Sequence, residues 1–190
     1  MTEHAGYQRA LGLARHELAG RLPETVAANT GTRWTGETYE IPWLGGTVLL
    51  EDGALDEQII WLHYLAALGP KTPRGVYVNY RQLPGAAIYN DNFVKRTISP
   101  MVGAFHDKLD DFLRMGISMG GEVKNLGHAS FVIRALPFVP ITYVIWQGDD
   151  EVPADGNILF DETAADWFCA EDLVVLAGIP VYNMLKSKKV

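Results

Sequence analysis

The chain has 190 residues, with 16 Lys and Arg against 23 Asp and Glu, a formal net charge of −7. That length favours one domain with a sizeable core, while 48% apolar and 21% charged residues argue against disordered and fibrous classes. The acidic balance argues against a nucleic-acid binder, and the single cysteine, Cys169, excludes an internal disulfide, a cysteine-based zinc site and an iron–sulfur cluster held by this chain alone.

Met1-Thr2-Glu3-His4 lacks the basic region of a signal peptide. The apolar stretches at 59–68 and 137–146 are too short or too interrupted to span a bilayer, so a soluble cytoplasmic protein is expected. Residues 6–20 predict an amphipathic helix, with Tyr7, Leu11, Ala14 and Leu18 at helical spacing and Arg9, Arg15 and His16 off that stripe. Residues 32–50 are dense in Thr, Trp, Tyr, Ile and Val and predict two strands, punctuated by Pro42 and Gly45-Gly46. A second helix over 56–68 starts at Asp56-Glu57 and stops at Gly69-Pro70; it is apolar nearly all round and belongs in the interior.

Residues 76–78 predict a short strand, followed by a loop through Pro84-Gly85. Ser99-Pro100 has the form of a helix start, a serine cap with proline in the first turn. Val102, Phe105, Leu109 and Phe112 then repeat helically, and Gly116, Gly120 and Gly121 end the helix. Residues 128–136 alternate, with Ala129, Phe131, Ile133 and Ala135 facing one way. Residues 141–147 are almost continuously apolar, as a central strand is. Together they predict an antiparallel hairpin whose turn is bracketed by Pro137 and Pro140. A last strand is expected at 157–160, then a helix over 162–185 split in two at Pro180. This order gives an α+β fold: a mostly antiparallel sheet with a central apolar hairpin, packed against several helices, in a single domain over 1–190.

Charge is unevenly spread. Residues 135–185 contain no Lys, Arg or His and nine acids, whereas residues 1–134 hold 13 basic and 14 acidic side chains. Acids in first helical turns account for Asp161, Glu162, Glu171 and Asp172. Asp149-Asp150-Glu151 directly follows the central strand. Carboxylates there suit a hard cation, a basic partner, or internal pairing with Arg74, Arg81 or Arg96. The spacing matches no calcium loop.

Gly116-Ile117-Ser118-Met119-Gly120 spells a nucleophile elbow. The mechanism needs a strand before the serine and a helix after it, and the order here is the reverse. The Gly116 to Gly121 spacing resembles a phosphate-binding loop, but Glu122 stands where a lysine is required. His63 lies in the apolar helix, where a hydrogen-bonded buried imidazole is the commoner outcome. Cys169, between Phe168 and Ala170, suits a buried small apolar residue. Trp61, Tyr64, Tyr77, Tyr80 and Trp146 suit either the core or a planar-ligand pocket, and the core is the stronger prior.

Four segments carry a family resemblance: Tyr80-Arg81-Gln82-Leu83-Pro84-Gly85, Asp149-Asp150-Glu151-Val152-Pro153-Ala154, Leu159-Phe160-Asp161 and Glu171-Asp172-Leu173. They resemble the motifs of the uncharacterised prokaryotic domain-of-unknown-function 3786 family over a core of about 55–176, and more loosely over the whole chain. Asp150 replaces the usual Glu and Val152 the usual Phe. The family is typical of anaerobes, and some members add an iron–sulfur domain like that of corrinoid and acetyl-CoA pathway proteins. The resemblance therefore implies an accessory role near corrinoid, one-carbon or redox metabolism, here as the bare domain with no iron–sulfur cluster.

The function expected is a small-molecule or cofactor-binding module, with a corrinoid or another tetrapyrrole as the ligand class. Its candidate ligand-binding residues are His63, Tyr80, Arg81, Trp146, Asp149, Asp150, Glu151 and Asp161; none is assigned as catalytic, and any metal is left unassigned. One alternative is an enzyme using the 149–151 carboxylates as general base or metal ligands, with Arg81 as an anion clamp. Another is an acidic domain that binds a basic protein partner or itself. The expected partner is a small molecule or a protein, not nucleic acid or a membrane, and the oligomeric state is left open.

Overall fold

The computed structural model describes residues 2–67 and 72–187. The expected helix stop at Gly69-Pro70 lies outside the described residues, and Tyr7 lies outside the described side chains. Helix α1 spans Thr2–Leu18 and packs on α3 through the buried Leu11 and Ala14. Helix α2, Pro23–Thr30, ends where Gly31 turns into the left-handed region at φ 69°.

Three strands follow where two were expected: β1 Arg33–Trp34, β2 Tyr39–Trp43 and β3 Gly46–Leu49, in one antiparallel sheet. The extra turn comes from Gly36, at φ 100°, with the Thr35 N–H donating to the Thr38 carbonyl. Helix α3, Leu55–Ala66, buries Ile60, Trp61, Leu62, Tyr64 and Leu65 almost completely, so it is the interior helix its sequence predicted.

Strand β4, Tyr77–Asn79, leads through short 3-10 turns into a helical run. This comprises α4 (Asn90–Phe93), a π-helical stretch (Val94–Ile98) and α5 (Ser99–Phe105). Ser99 is the first residue of α5 and Pro100 stands in its first turn, as their pairing suggested, but Ser99 is not a cap: the π-helical stretch runs into α5 without a break, as in one continuous helix. Pro100 is tolerated there because the wider π turn before it, closed by Ser99 N–H to the Val94 carbonyl, relieves its crowding. The run breaks at Lys108, at φ −137° and ψ 52°, and restarts as α6, Leu109–Ser118.

The main sheet contains β5 (Glu122–Lys124), β6 (Ala129–Leu136), β7 (Val139–Trp146) and β8 (Asp155–Asp161) with β4, in the order β4-β8-β7-β6-β5. Every pairing is antiparallel and the apolar β7 is central, as its sequence implied. Pro140 pairs with Arg134 inside the hairpin rather than bracketing the turn. It falls beside the register shift between Arg134 and Leu136, where a missing N–H disturbs the ladder least.

Pairing puts Phe131, Ile133, Ile141, Tyr143, Ile145, Ile158 and Phe160 on one face, all fully buried. Helices α5, α6 and α7 (Ala170–Ser187) lie against this face. Each such aromatic or aliphatic side chain contributes about 1.5–3 kcal/mol by leaving water. On the opposite face Tyr77, Asn79, Arg134, Trp146 and Asp155 are exposed.

The C-terminal helical segment is split, but at 167–169 rather than at Pro180: a 3-10 turn at Glu162–Asp166 precedes α7, and Pro180 lies within α7. Its ring is buried in the packing of α7. The Ala177 carbonyl nearby gains a side-chain donor, the Tyr143 hydroxyl at 3.0 Å. Tertiary packing thus stabilises a helix that local preference would break. Among the described residues no helix is long and apolar enough to cross a membrane.

Candidate functional site

The 147–154 loop joins β7 to β8 and is built to hold one shape. A side chain at Gly148 would meet the Ala154 backbone nitrogen at 2.4 Å, so only glycine lets the loop close. The Asp149 carboxylate turns inward and accepts the Glu151 N–H at 2.9 Å and the Val152 N–H at 2.8 Å. The Asp149 N–H donates to the Val152 carbonyl at 2.9 Å. The hydrogen bonds from Val152 and Glu151 hold the Asp149 carboxyl below its usual range.

Asp149 is thereby committed to its own loop, an arrangement typical of aspartates in turns. Asp150, Glu151 and Val152 are left outward, Val152 with 61% of its surface exposed. Beside the loop, Trp146 is 39% exposed and lies over Gly127, and Leu126 is 37% exposed. Asp155 stands directly across from Trp146 on β8. This end of the sheet is therefore an apolar patch rimmed by carboxylates.

The arginines considered as internal partners do not neutralise it. Arg74 pairs with Glu162 at 2.9 Å, and among the described residues neither Arg81 nor Arg96 forms an ion pair with Asp149, Asp150 or Glu151. His128, just before β6, accepts the Gln147 N–H on Nδ1 at 2.8 Å. Its position across the hairpin from Gln147 carries no local signal in the sequence.

The other candidates lie elsewhere. Tyr80 is 1% exposed, its ring stacks on Phe93 at 4.1 Å, and its hydroxyl donates to the Ala170 carbonyl at 2.9 Å. Burial pushes that phenol up to about 12. Arg81, next to it, points to solvent.

Asp161 is a buried structural carboxylate. It accepts N–H groups of Arg74 (3.1 Å), Gly75 (2.6 Å) and Thr163 (3.1 Å), and the Thr163 hydroxyl (2.7 Å). Burial alone would raise its pKa, but these bonds hold it low. His63 on α3 meets Asp172 on α7 at 2.9 Å. That hydrogen bond raises the imidazole pKa, against the effect of burial.

Cys169 corrects an expectation: it is exposed, not buried, because it occupies the turn just before α7 while Phe168 and Ala170 on either side point inward. Desolvation around the sulfur, together with the carboxylates of Asp172 and Glu171, pushes the thiol up to about 11. A thiol so protonated at neutral pH is a poor nucleophile. Among the described residues no group of three or more His, Cys, Asp or Glu is placed to hold a metal ion. Three open recesses, of about 300, 480 and 350 Å³, lie away from all eight candidate ligand residues.

The loop that the structure makes rigid and the motif that carries the sequence resemblance are the same residues. A family model described as Domain of unknown function (DUF3786) matches residues 23–183, and the chain belongs to that family. No curated protein and no solved structure matches the chain.

Proposed function

We propose that this domain is an accessory binding module whose ligand is a protein: the 147–154 loop, with Trp146 and Leu126, docks a basic and apolar segment of a partner polypeptide. One observation carries the reading. A loop closed by Gly148 and by the Asp149 carboxylate holds Asp150, Glu151 and Val152 outward, beside a half-exposed tryptophan and, among the described residues, without an ion pair to Asp150 or Glu151. A preorganised loop loses little entropy on binding. An aromatic anchor inside a charged rim is the usual anatomy of a docking patch, and unpaired carboxylates select and steer a cationic partner.

A small-molecule ligand finds less support. Tyr80 and Asp161 are buried in hydrogen bonds of the fold, His63 is paired across two helices, and the recesses lie elsewhere. A corrinoid or another tetrapyrrole needs a deep pocket with residues converging on it. An enzymatic role for Asp149 is likewise less supported, because its Oδ1 already takes two N–H groups of its own loop.

The test uses a short synthetic peptide of lysine and leucine, arranged to be amphipathic, as probe. Binding should be salt-dependent and weaken by about tenfold or more in Asp150→Lys/Glu151→Lys. The corresponding glutamate–leucine peptide should not bind. Equal binding by the charge-reversed variant, with its circular dichroism unchanged, would sink the proposal.

A further inference from the structure

The last strand of the main sheet, β5, has β6 on one side and an open edge on the other. An open edge presents unpaired N–H and C=O groups and is a template for another strand. Many proteins guard such an edge with charges of one sign. This edge reads Glu122-Val123-Lys124, one charge of each sign about an exposed valine, 52% accessible, with Lys124 Nζ 3.3 Å from Glu122 Oε2 within one copy. Reversed and laid against itself, the triplet is its own complement. With a two-fold axis at Val123, Glu122 of one copy faces Lys124 of the other, and the reverse. Opposite charges directly across an antiparallel pair are favourable.

The register adds an apolar component. Val123 pairs with Phe131, so it lies on the face that α6 covers. Helix α6 packs against β5 and carries Ile117, 55% exposed, on that same side of the sheet. A three-residue strand alone is too small for a stable interface, so the flanking α6 helices must supply the rest of it.

We propose that β5 pairs antiparallel with β5 of a second copy of this chain, extending the two main sheets into one and bringing Ile117 and Val123 of both copies out of water. The contact is isologous and closes at two copies, as a two-fold strand pairing must. It lies on a different strand edge from the acidic loop and stands without the partner-docking reading.

Sedimentation of the full chain across concentrations tests it. The wild type should dimerise with micromolar dissociation, corresponding to about −8 kcal/mol. Glu122→Lys places Lys opposite Lys and should leave a monomer. Glu122→Lys/Lys124→Glu restores complementarity and should restore the dimer. Hydrogen exchange of the β5 amides should slow as concentration rises in the wild type and not in Glu122→Lys. A wild-type monomer, a dimer indifferent to Glu122→Lys, or a double variant that stays monomeric while folded would each overturn the proposal.

Discussion

The Tyr143 hydroxyl donates a 3.0 Å hydrogen bond to the Ala177 carbonyl, three residues before Pro180. Tyr143 is fully buried on the central strand, and burial drives its phenol well above the ordinary range. Pro180 removes the N–H that would ordinarily serve the Leu176 carbonyl. The tyrosine thus fastens α7 to the sheet where the helix's own ladder is thinnest. Tyr143→Phe keeps the ring and deletes the donor, removing the bond that ties α7 to the central strand here. It should lower unfolding stability by about 0.5–1.5 kcal/mol, with an unchanged urea m-value. Loss of less than a few tenths would show that Ala177 does not depend on this donor.

The His63–Asp172 pair joins α3 to α7 and should make stability fall as pH rises. The Asp172 hydrogen bond lifts the imidazole pKa above 6.5, burial opposes it, and the charges of Asp172 and Glu17 add to the rise. A group with a raised folded pKa stabilises fully below its unfolded value, near 6.5, and that stability fades as pH climbs through the folded one. Denaturation at pH 6 and pH 8.5 should therefore show a larger decline for the wild type than for Asp172→Asn or His63→Gln. The same decline in all three would assign the pH dependence to other groups.

The core hairpin was readable in advance because its signals are local. Alternation in β6, a continuous apolar run in β7 and turn residues between them all point one way. The continuity of the helix into Ser99 and through Pro180 was not readable, since it depends on a wider turn before Pro100 and on the packing of α7 against other elements, where Tyr143 reaches the Ala177 carbonyl. At the candidate site, Asp150 and Glu151 were legible as an acidic turn on the surface. The structural duty of Asp161 and Tyr80 was not. Their partners, Gly75 and Ala170, are 86 and 90 residues away. The Asp172 partner of His63 is 109 residues away and carries no periodicity that would single it out. The exposure of Cys169 was not legible because burial changes residue by residue in the turn before α7: Phe168 and Ala170 point inward and Cys169 outward.

Gly45 and Gly120 mark where the small sheet meets the α6–β5 turn. Their backbones touch: a Cβ on Gly45 would lie 2.7 Å from the Gly120 nitrogen, and one on Gly120 would lie 2.6 Å from the Gly45 Cα. Gly45 also sits at φ 78° in a two-residue hairpin turn with Leu44 at φ 46°. Gly75 is a control, since its φ is 75° but nothing lies within 4 Å of an added Cβ. Gly75→Ala should cost about 1–2 kcal/mol, the strain of the left-handed conformation alone. Gly45→Ala should cost more, about 3 kcal/mol or above. Equal melting temperatures for the two variants would show that the small sheet can move off Gly120 freely.

Asp161 and Asp150 belong to one acidic segment and should behave oppositely. Asp161 accepts four hydrogen bonds from Arg74, Gly75 and Thr163, with 3% of its surface exposed. Asp161→Asn converts one acceptor oxygen into a donor facing N–H groups, and should destabilise by about 1–3 kcal/mol. Asp150→Asn, on the rim of the loop, should change stability by less than about 0.5 kcal/mol. Burial works to raise the Asp161 pKa, but the hydrogen bonds win and depress it. Its contribution is therefore present above the unfolded carboxyl value and is lost as pH falls through the folded one. The acid limb of the stability curve should flatten in Asp161→Asn. An acid limb unmoved by Asp161→Asn would place the acid sensitivity on other carboxylates, with Asp149, also held low by its own hydrogen bonds, the next to replace.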